Sequence, residues 1–206
     1  RHTRFRNVTG VQTYALPISP LGSAFRCIVA DPPWDVKRGA PQGRPDGVQL
    51  ASEPLPYQTM TVEEICELPV ASVAGANSHL YLWTTQAWLR ESYRVLDAWG
   101  YKQGAILVWS KPPKGVCGTY VCSAEYCIFG RRGTLGHLRR HLGTVMEWPR
   151  GRHSAKPEAF FDMVEQVSPP PYLELFARRQ RLGWDTWGNE ALNHVELVPH
   201  IKDSAT

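Results

Sequence analysis

The sequence predicts an α/β domain built on a central, mostly parallel sheet. Short apolar runs with β-branched residues alternate along the chain with stretches of helical periodicity, which is the pattern of strands linked by crossover helices. At 206 residues the chain is long enough to bury one substantial core and is read as a single domain. The two segments of unusual chemistry, 31–34 and 178–190, each follow a strand directly. In a parallel sheet both would then lie at the carboxyl edge, where such folds bind their ligands.

The first strand is "FRCIVA" (25–30), with Ile28 and Val29 in a short buried run. Residues 35–56 are rich in Pro, Gly and charge and read as a long loop, a length that is uncommon without a function. In "TMTVEEICELP" Thr61 and Glu64 have capping-box spacing, and Pro69 ends the helix. "HLYLWTT" (79–85) is the second strand. "QAWLRESYRVLDAWG" (86–100) is a helix with Trp88, Val95, Leu96 and Trp99 on one face, and Gly100 suits its stop. "GAILVWS" (104–110) and "YVCSAEYCIFG" (120–130) are the third and fourth strands. Residues 131–156 form a second long loop, basic in character. Pro157 then opens a helix whose stripe is Phe160, Phe161, Val164 and Val167. "PYLELFAR" (171–178) is the fifth strand. The domain is expected over 23–195, after an unstructured or non-native leader at 1–22 and before a tail at 196–206.

Composition narrows the class of protein. The net charge of +4 permits a nucleic-acid partner without requiring one. Eight tryptophans suit a core but also suit flat ligands such as bases. Trp83, Trp88, Trp99, Trp109, Trp184 and Trp187 are assigned to the core or to a cofactor wall. The five cysteines are odd in number and form no CxxC, so they read as reduced thiols in a cytoplasmic protein. No apolar run is long enough to span a bilayer. His137 and His141 are spaced i, i+4, but no acidic third ligand accompanies them, and no metal is expected.

"DPPW" (31–34) is the most informative stretch. Two prolines remove two N–H donors and fix the backbone. A carboxylate beside a proline carbonyl makes a pocket of acceptors, which suits an exocyclic amine with two N–H donors. Such an amine is a poor nucleophile because its lone pair is delocalised into the ring. Acceptors on both hydrogens pull it toward tetrahedral geometry, which is catalysis by positioning and electrostatics. Trp34 would supply a face for stacking a base.

Eight segments occur together and in order: "ADPPW", "PYQTMTVEEI", "HLYLWTT", "VLDAWGY", "VWSKP", "HSAKPEAFFDMVE", "PYLELFARR" and "GWDTWGNE". Across roughly residues 25–191 the chain resembles the DPPW-type adenine N6-methyltransferases, and most of all their short bacterial and phage DNA members. The resemblance implies a Rossmann-like fold with helices on both faces of the sheet and S-adenosyl-L-methionine as methyl donor. It implies a catalytic set of Asp31, Pro32, Pro33 and Trp34. The cofactor set it implies is Asp31, Ser154, Lys156, Glu174, Arg178, Gln180, Asn189 and Glu190. Trp34 and Tyr57 would hold the base, and Arg150, Arg152 and His153 would contact phosphates. The expected substrate is DNA rather than RNA, with a dimer or partner subunit as an option. Two other readings remain open: methylation of the N4 amine of cytosine, and a catalytically inactive nucleic-acid-binding subunit of the same fold. The chain departs from the family pattern in four places. The loop between Trp34 and Tyr57 is long. Gln180 and Glu190 replace a histidine and a glutamine of the mRNA enzyme. "SAEYC" keeps only Glu125 of a His-Glu pair. The segment before Asp31 does not match.

Overall fold

The computed structural model describes residues 24–35, 58–111, 116–117, 120–121, 123–149 and 155–197. The expectations for the leader, for most of the tail, and for Tyr57, Arg150, Arg152, His153 and Ser154 lie outside the described residues. Seven strands form one sheet: β1 (Phe25–Ala30), β2 (Ala74–Thr84), β3 (Lys102–Ser110), β6 (Ala124–Arg132), β7 (Val145–Met146), β8 (Tyr172–Leu175) and β9 (Trp184–Trp187). Their order is β7-β3-β6-β2-β1-β8-β9. β4 (Val116–Cys117) and β5 (Tyr120–Val121) pair separately as a small hairpin. β1 runs parallel to both β2 and β8, β8 is parallel to β9, and β3 is parallel to β7. Only β6 runs against its neighbours.

The pleat of β1 divides the core in two. Ile28 and Ala30 face α1 (Val62–Glu67), the short α2 (Val70–Val73) and α3 (Leu89–Ala98). Cys27 and Val29 face α4 (Glu158–Val167) and its Phe160, Phe161 and Val164. Helices therefore cover both faces of a buried, mostly parallel sheet, as such sheets require. Tryptophans join the layers. The Trp99 indole donates to the Ile65 carbonyl at 3.0 Å, tying α3 to α1. Gly100 follows at φ +79°, the left-handed conformation that ends a helix cheaply only at glycine.

Several elements differ from the sequence expectation. The helix read over 86–100 begins with a single 3-10 turn at Gln86–Trp88 before α3. Pro157 is the N-cap rather than the first helical residue, and the acidic Glu158 opens α4. Tyr120 and Val121 belong to the small hairpin, so the fourth predicted strand starts at Ala124 and runs on to Arg132. The basic loop contains β7, which is two residues long. The segment after the fifth strand holds β9, whose polar residues are buried. Asp185 lies 3.4 Å from His194, and Thr186 donates to the Leu192 carbonyl at 2.5 Å, so residues 192–194 cover this sheet edge.

The capping box of α1 is complete: Glu64 N–H donates to Thr61 Oγ1 at 3.2 Å, and Thr61 N–H donates to Glu64 Oε2 at 2.7 Å. Thr61→Ala is expected to lower stability by about 1 kcal/mol. Urea unfolding should show this as a lower midpoint with an unchanged m-value.

Candidate active site

Three strand ends converge at the carboxyl edge. β1 delivers Asp31, β8 delivers Phe176 to Arg178, and β9 delivers Gly188 to Glu190. With Gln58–Met60 and the end of α1 they enclose a cleft of about 380 Å³. Close backbone approach makes this possible. A Cβ on Gly188 would stand 2.4 Å from the Ala177 carbonyl oxygen and 2.5 Å from its nitrogen. Ala177 N–H donates to the Trp187 carbonyl at 3.0 Å, locking the two strand ends together. Phe176 sits at φ +62°, a strained conformation for an aromatic residue and one typical of binding sites.

The "DPPW" turn is built into this floor. Trp34 N–H donates to the Pro32 carbonyl at 2.8 Å, and Met60 N–H donates to the Pro33 carbonyl at 2.9 Å. Pro32 is buried, and its carbonyl closes the turn instead of standing beside Asp31 with both lone pairs open. Trp34 also differs from the expectation. It is 4% exposed, its ring stacks on Trp88 at 6.0 Å and 14°, and its indole donates to the Trp83 carbonyl at 3.1 Å. It packs inward because the turn directs it under β2 and the 3-10 turn. In this arrangement it fixes the turn and does not offer a surface for a base.

Asp31 faces two environments. On one side it lines the cleft. On the other its Oδ2 accepts from Lys156 Nζ at 2.6 Å. Lys156 Nζ is also 3.5 Å from Glu125 Oε2, and Lys111 pairs with the other oxygen of Glu125. Lys111 lies over the Trp109 ring at 3.9 Å, and Lys156 over Trp83 at 5.0 Å. Burial pushes the Lys156 ammonium toward neutrality, but Asp31 and Glu125 outweigh it and raise its pKa above the ordinary value. Burial likewise opposes ionisation of Glu125, and Lys156 and Lys111 outweigh it and lower its pKa. The result is an alternating row of four charged groups along the strand ends.

The cofactor residues expected from the sequence separate into groups. Asp31, Arg178, Asn189 and Glu190 line the cleft. Lys156 reaches it through Asp31. Gln180 is exposed and lies outside it. Glu174 pairs in register with Val29, so its side chain projects to the α4 face, away from the cleft wall. Sequence reasoning missed Phe176 and Gly188 as cleft residues, whereas Trp187, read as core or cofactor wall, lines the cleft. Gly188 alone carried a signal, as the glycine directly after a Trp in "GWDTWGNE". The cleft carries Asp31, Glu64, Glu67 and Glu190 against the single cation Arg178. A cationic ligand with hydroxyl and amide groups fits that set, and a polyphosphate does not.

An open α/β sheet with a carboxylate at the end of an interior strand, beside an acidic cleft at the carboxyl edge, defines a small-ligand-binding domain of Rossmann-like type. Residues 25–190 match the MT-A70 family, and the chain belongs to it. It is 29% identical over 190 residues to the Type II methyltransferase M.MunI of Mycoplasma sp, covering 85% of this chain and 81% of that one. It is 31% identical over 186 residues to a probable N(6)-adenosine-methyltransferase MT-A70-like protein of Oryza sativa, covering 84% of this chain and 24% of the rice protein. It is 27% identical over 195 residues to the human N(6)-adenosine-methyltransferase catalytic subunit METTL3, covering 89% of this chain and 30% of that subunit. Among the described residues no helix is long and apolar enough to cross a membrane, and no three His, Cys, Asp or Glu side chains are grouped to hold a metal ion.

Gly188→Ala is expected to force β8 and β9 apart at the cleft. The variant should stay folded by circular dichroism and lose roughly tenfold or more in cofactor affinity by calorimetry. Glu174 gives a second test. Its carboxyl is pushed up to about 7, first by burial and then by the charge of Asp31, against Arg181 and Lys156. Between the ordinary 4.5 and about 7 the folded state then binds more protons than the unfolded state, so stability falls as pH rises through this window. Glu174→Gln is expected to flatten that decline in thermal melts taken from about pH 5 to about pH 8.

Proposed function

We propose that this protein methylates the N6 amine of adenine in nucleic acid, DNA rather than RNA, using S-adenosyl-L-methionine. One observation carries the proposal: Asp31 stands at the carboxyl edge of the sheet, lining an acidic cleft suited to a cationic cofactor while its other side is held by the Lys156 ammonium. The preference for DNA rests on the similarity to a type II methyltransferase, 29% identical over 190 residues and matched over 81% of that protein.

When bound, the cofactor supplies an electrophilic methyl group on a sulfonium. The residues of the chain do the rest. Asp31, Arg178, Asn189 and Glu190 line the space for the cofactor's ammonium, carboxylate, ribose and adenine groups. Phe176 and Trp187 supply apolar wall. The target amine needs an acceptor for its hydrogens, and Asp31 is the acceptor at the junction. Lys156 holds one oxygen of that carboxylate in this structure. Glu125 lies within 3.5 Å as a second partner, so the ammonium can move toward it as the amine docks without losing its counter-charge. Asp31 is then the nearest base for the proton that leaves the amine nitrogen. Trp34 keeps the turn rigid from below. Tyr57 and Ser154 are assigned to substrate-gating loops, and Arg150, Arg152 and His153 to phosphate contacts. A base in a duplex must be flipped out to reach Asp31.

Labelled methyl transfer to matched DNA and RNA oligonucleotides tests this reading. Label is expected in N6-methyladenine in DNA, with a loss of at least roughly a thousandfold in Asp31→Ala while circular dichroism shows the fold retained. Label in cytosine, or none with any substrate, would overturn it.

A further inference from the structure

A second cavity lies on the α4 face, away from the Asp31 cleft. It measures about 260 Å³ and sits over the middle of β3 and β6, closed by residues 137–144 of the basic loop and by the far half of α4. Tyr81, Leu107, Phe129 and Met163 form its apolar walls, and no acidic side chain lines it. Its rim carries Arg139, Arg140 and His141. Arg139 is held by Gln166, a neutral partner, and Arg140 makes no ion pair among the described residues. Two cations therefore stand at the mouth of an apolar cavity without a counter-charge.

The cavity has a prepared aromatic platform. The His137 ring stacks on His79 at 4.7 Å and 19°, and stands 5.7 Å from the Phe129 ring. His79 is buried and bonded on both nitrogens, to Ser168 Oγ at 2.8 Å and to the Leu135 carbonyl at 3.3 Å. Burial lowers its pKa to about 4, so it backs His137 as a neutral ring. This buried polar cluster has no part in the Asp31 chemistry. At the rim His141 takes φ +64°, a conformation a non-glycine residue holds only when the surroundings enforce it.

From this arrangement we infer that the cavity binds a base of the nucleic-acid strand outside the target adenine, its ring against His137 and Phe129 and its phosphates on Arg139 and Arg140. The inference rests on the proposed nucleic-acid substrate and assigns it a second contact. The volume is below the roughly 300–1,000 Å³ of drug-sized ligand sites and suits one flat ring system. Aromatic faces beside unpaired arginines are how proteins hold single-stranded bases without reading their sequence. The two cavities are opposite in sign, which sends a cationic cofactor to one and a polyanion to the other.

The probe is a fluorescein-labelled single-stranded DNA of about 12 nucleotides, titrated by anisotropy into the full chain. Ala105→Phe fills the cavity from β3, and the exposed Arg140→Glu reverses a rim charge without touching the core. Each is expected to weaken binding roughly tenfold, with cofactor affinity by calorimetry unchanged. Iodouracil in the probe should crosslink to the peptides carrying Phe129 or His137. Wild-type affinity in both variants overturns the inference, and so does a changed oligomeric state in Ala105→Phe with DNA binding intact. Absence of methyl transfer alongside cavity-dependent DNA binding would count against the proposed reaction and leave this site standing.

Discussion

Lys156 and Asp31 are 125 positions apart, and the rest of the site is arranged around their contact. An ammonium 13% exposed cannot stay charged unless carboxylates surround it. Asp31 and Glu125 do so from two different strands, β1 and β6. That requirement fixes where α4 begins, because Lys156 directly precedes its cap at Pro157. It also explains the reversed β6. Running against β2, that strand puts its first residues, Ala124 and Glu125, at the same edge where β1 and β8 end. A parallel β6 would have left Glu125 at the opposite side of the sheet.

The rigidity of Asp31 comes from packing rather than from the prolines alone. The prolines limit the turn, and two hydrogen bonds, into Pro32 and Pro33 carbonyls, complete it. Trp34 then anchors the turn beneath the sheet edge, its indole bonded to β2 and its ring against Trp88. Ser92 extends this support: its hydroxyl lies 2.6 Å from Thr84 Oγ1 and 2.8 Å from the Trp88 carbonyl, which joins α3 to the end of β2. A carboxylate held this firmly costs little reorganisation when an amine approaches, the condition under which preorganised acceptors act best.

How far the sequence could be read depended on how local each signal was. The capping box at Thr61 and Glu64 is complete within four residues, and the helix starts where it says. β1, with its run of buried residues, was equally legible. β7 was not, since two residues carry no periodicity and exist as a strand only because β3 lies alongside. β9 was hidden because Asp185 and Thr186 look exposed in sequence, and residues 192–194 satisfy them only in three dimensions. The same distinction holds at the site. Asp31 and Lys156 were recognisable by motif, whereas the fate of Trp34 depended on a partner, Trp88, 54 positions away that no local pattern announces. Glu174 was read as a cleft residue, but strand alternation turns it to the α4 face.

The sheet thus sets Asp31 between two different surroundings. Its carboxyl edge on the α1 side gathers Asp31, Glu64, Glu67 and Glu190 around the cleft. Its α4 side holds Lys111 and Lys156 paired with Glu125 and Asp31, with Glu174 nearby, and further back Arg139 and Arg140. A polyanion approaching the acidic cleft would be repelled. Asp31 is the carboxylate common to both sides, which is why it needs Lys156. In the proposed reaction, its charge without that ammonium would oppose the approach of a nucleic-acid strand. In the proposed reaction the ion pair would let one residue serve a cationic ligand and an anionic one in turn, with Glu125, 3.5 Å from Lys156, as the lysine's second partner.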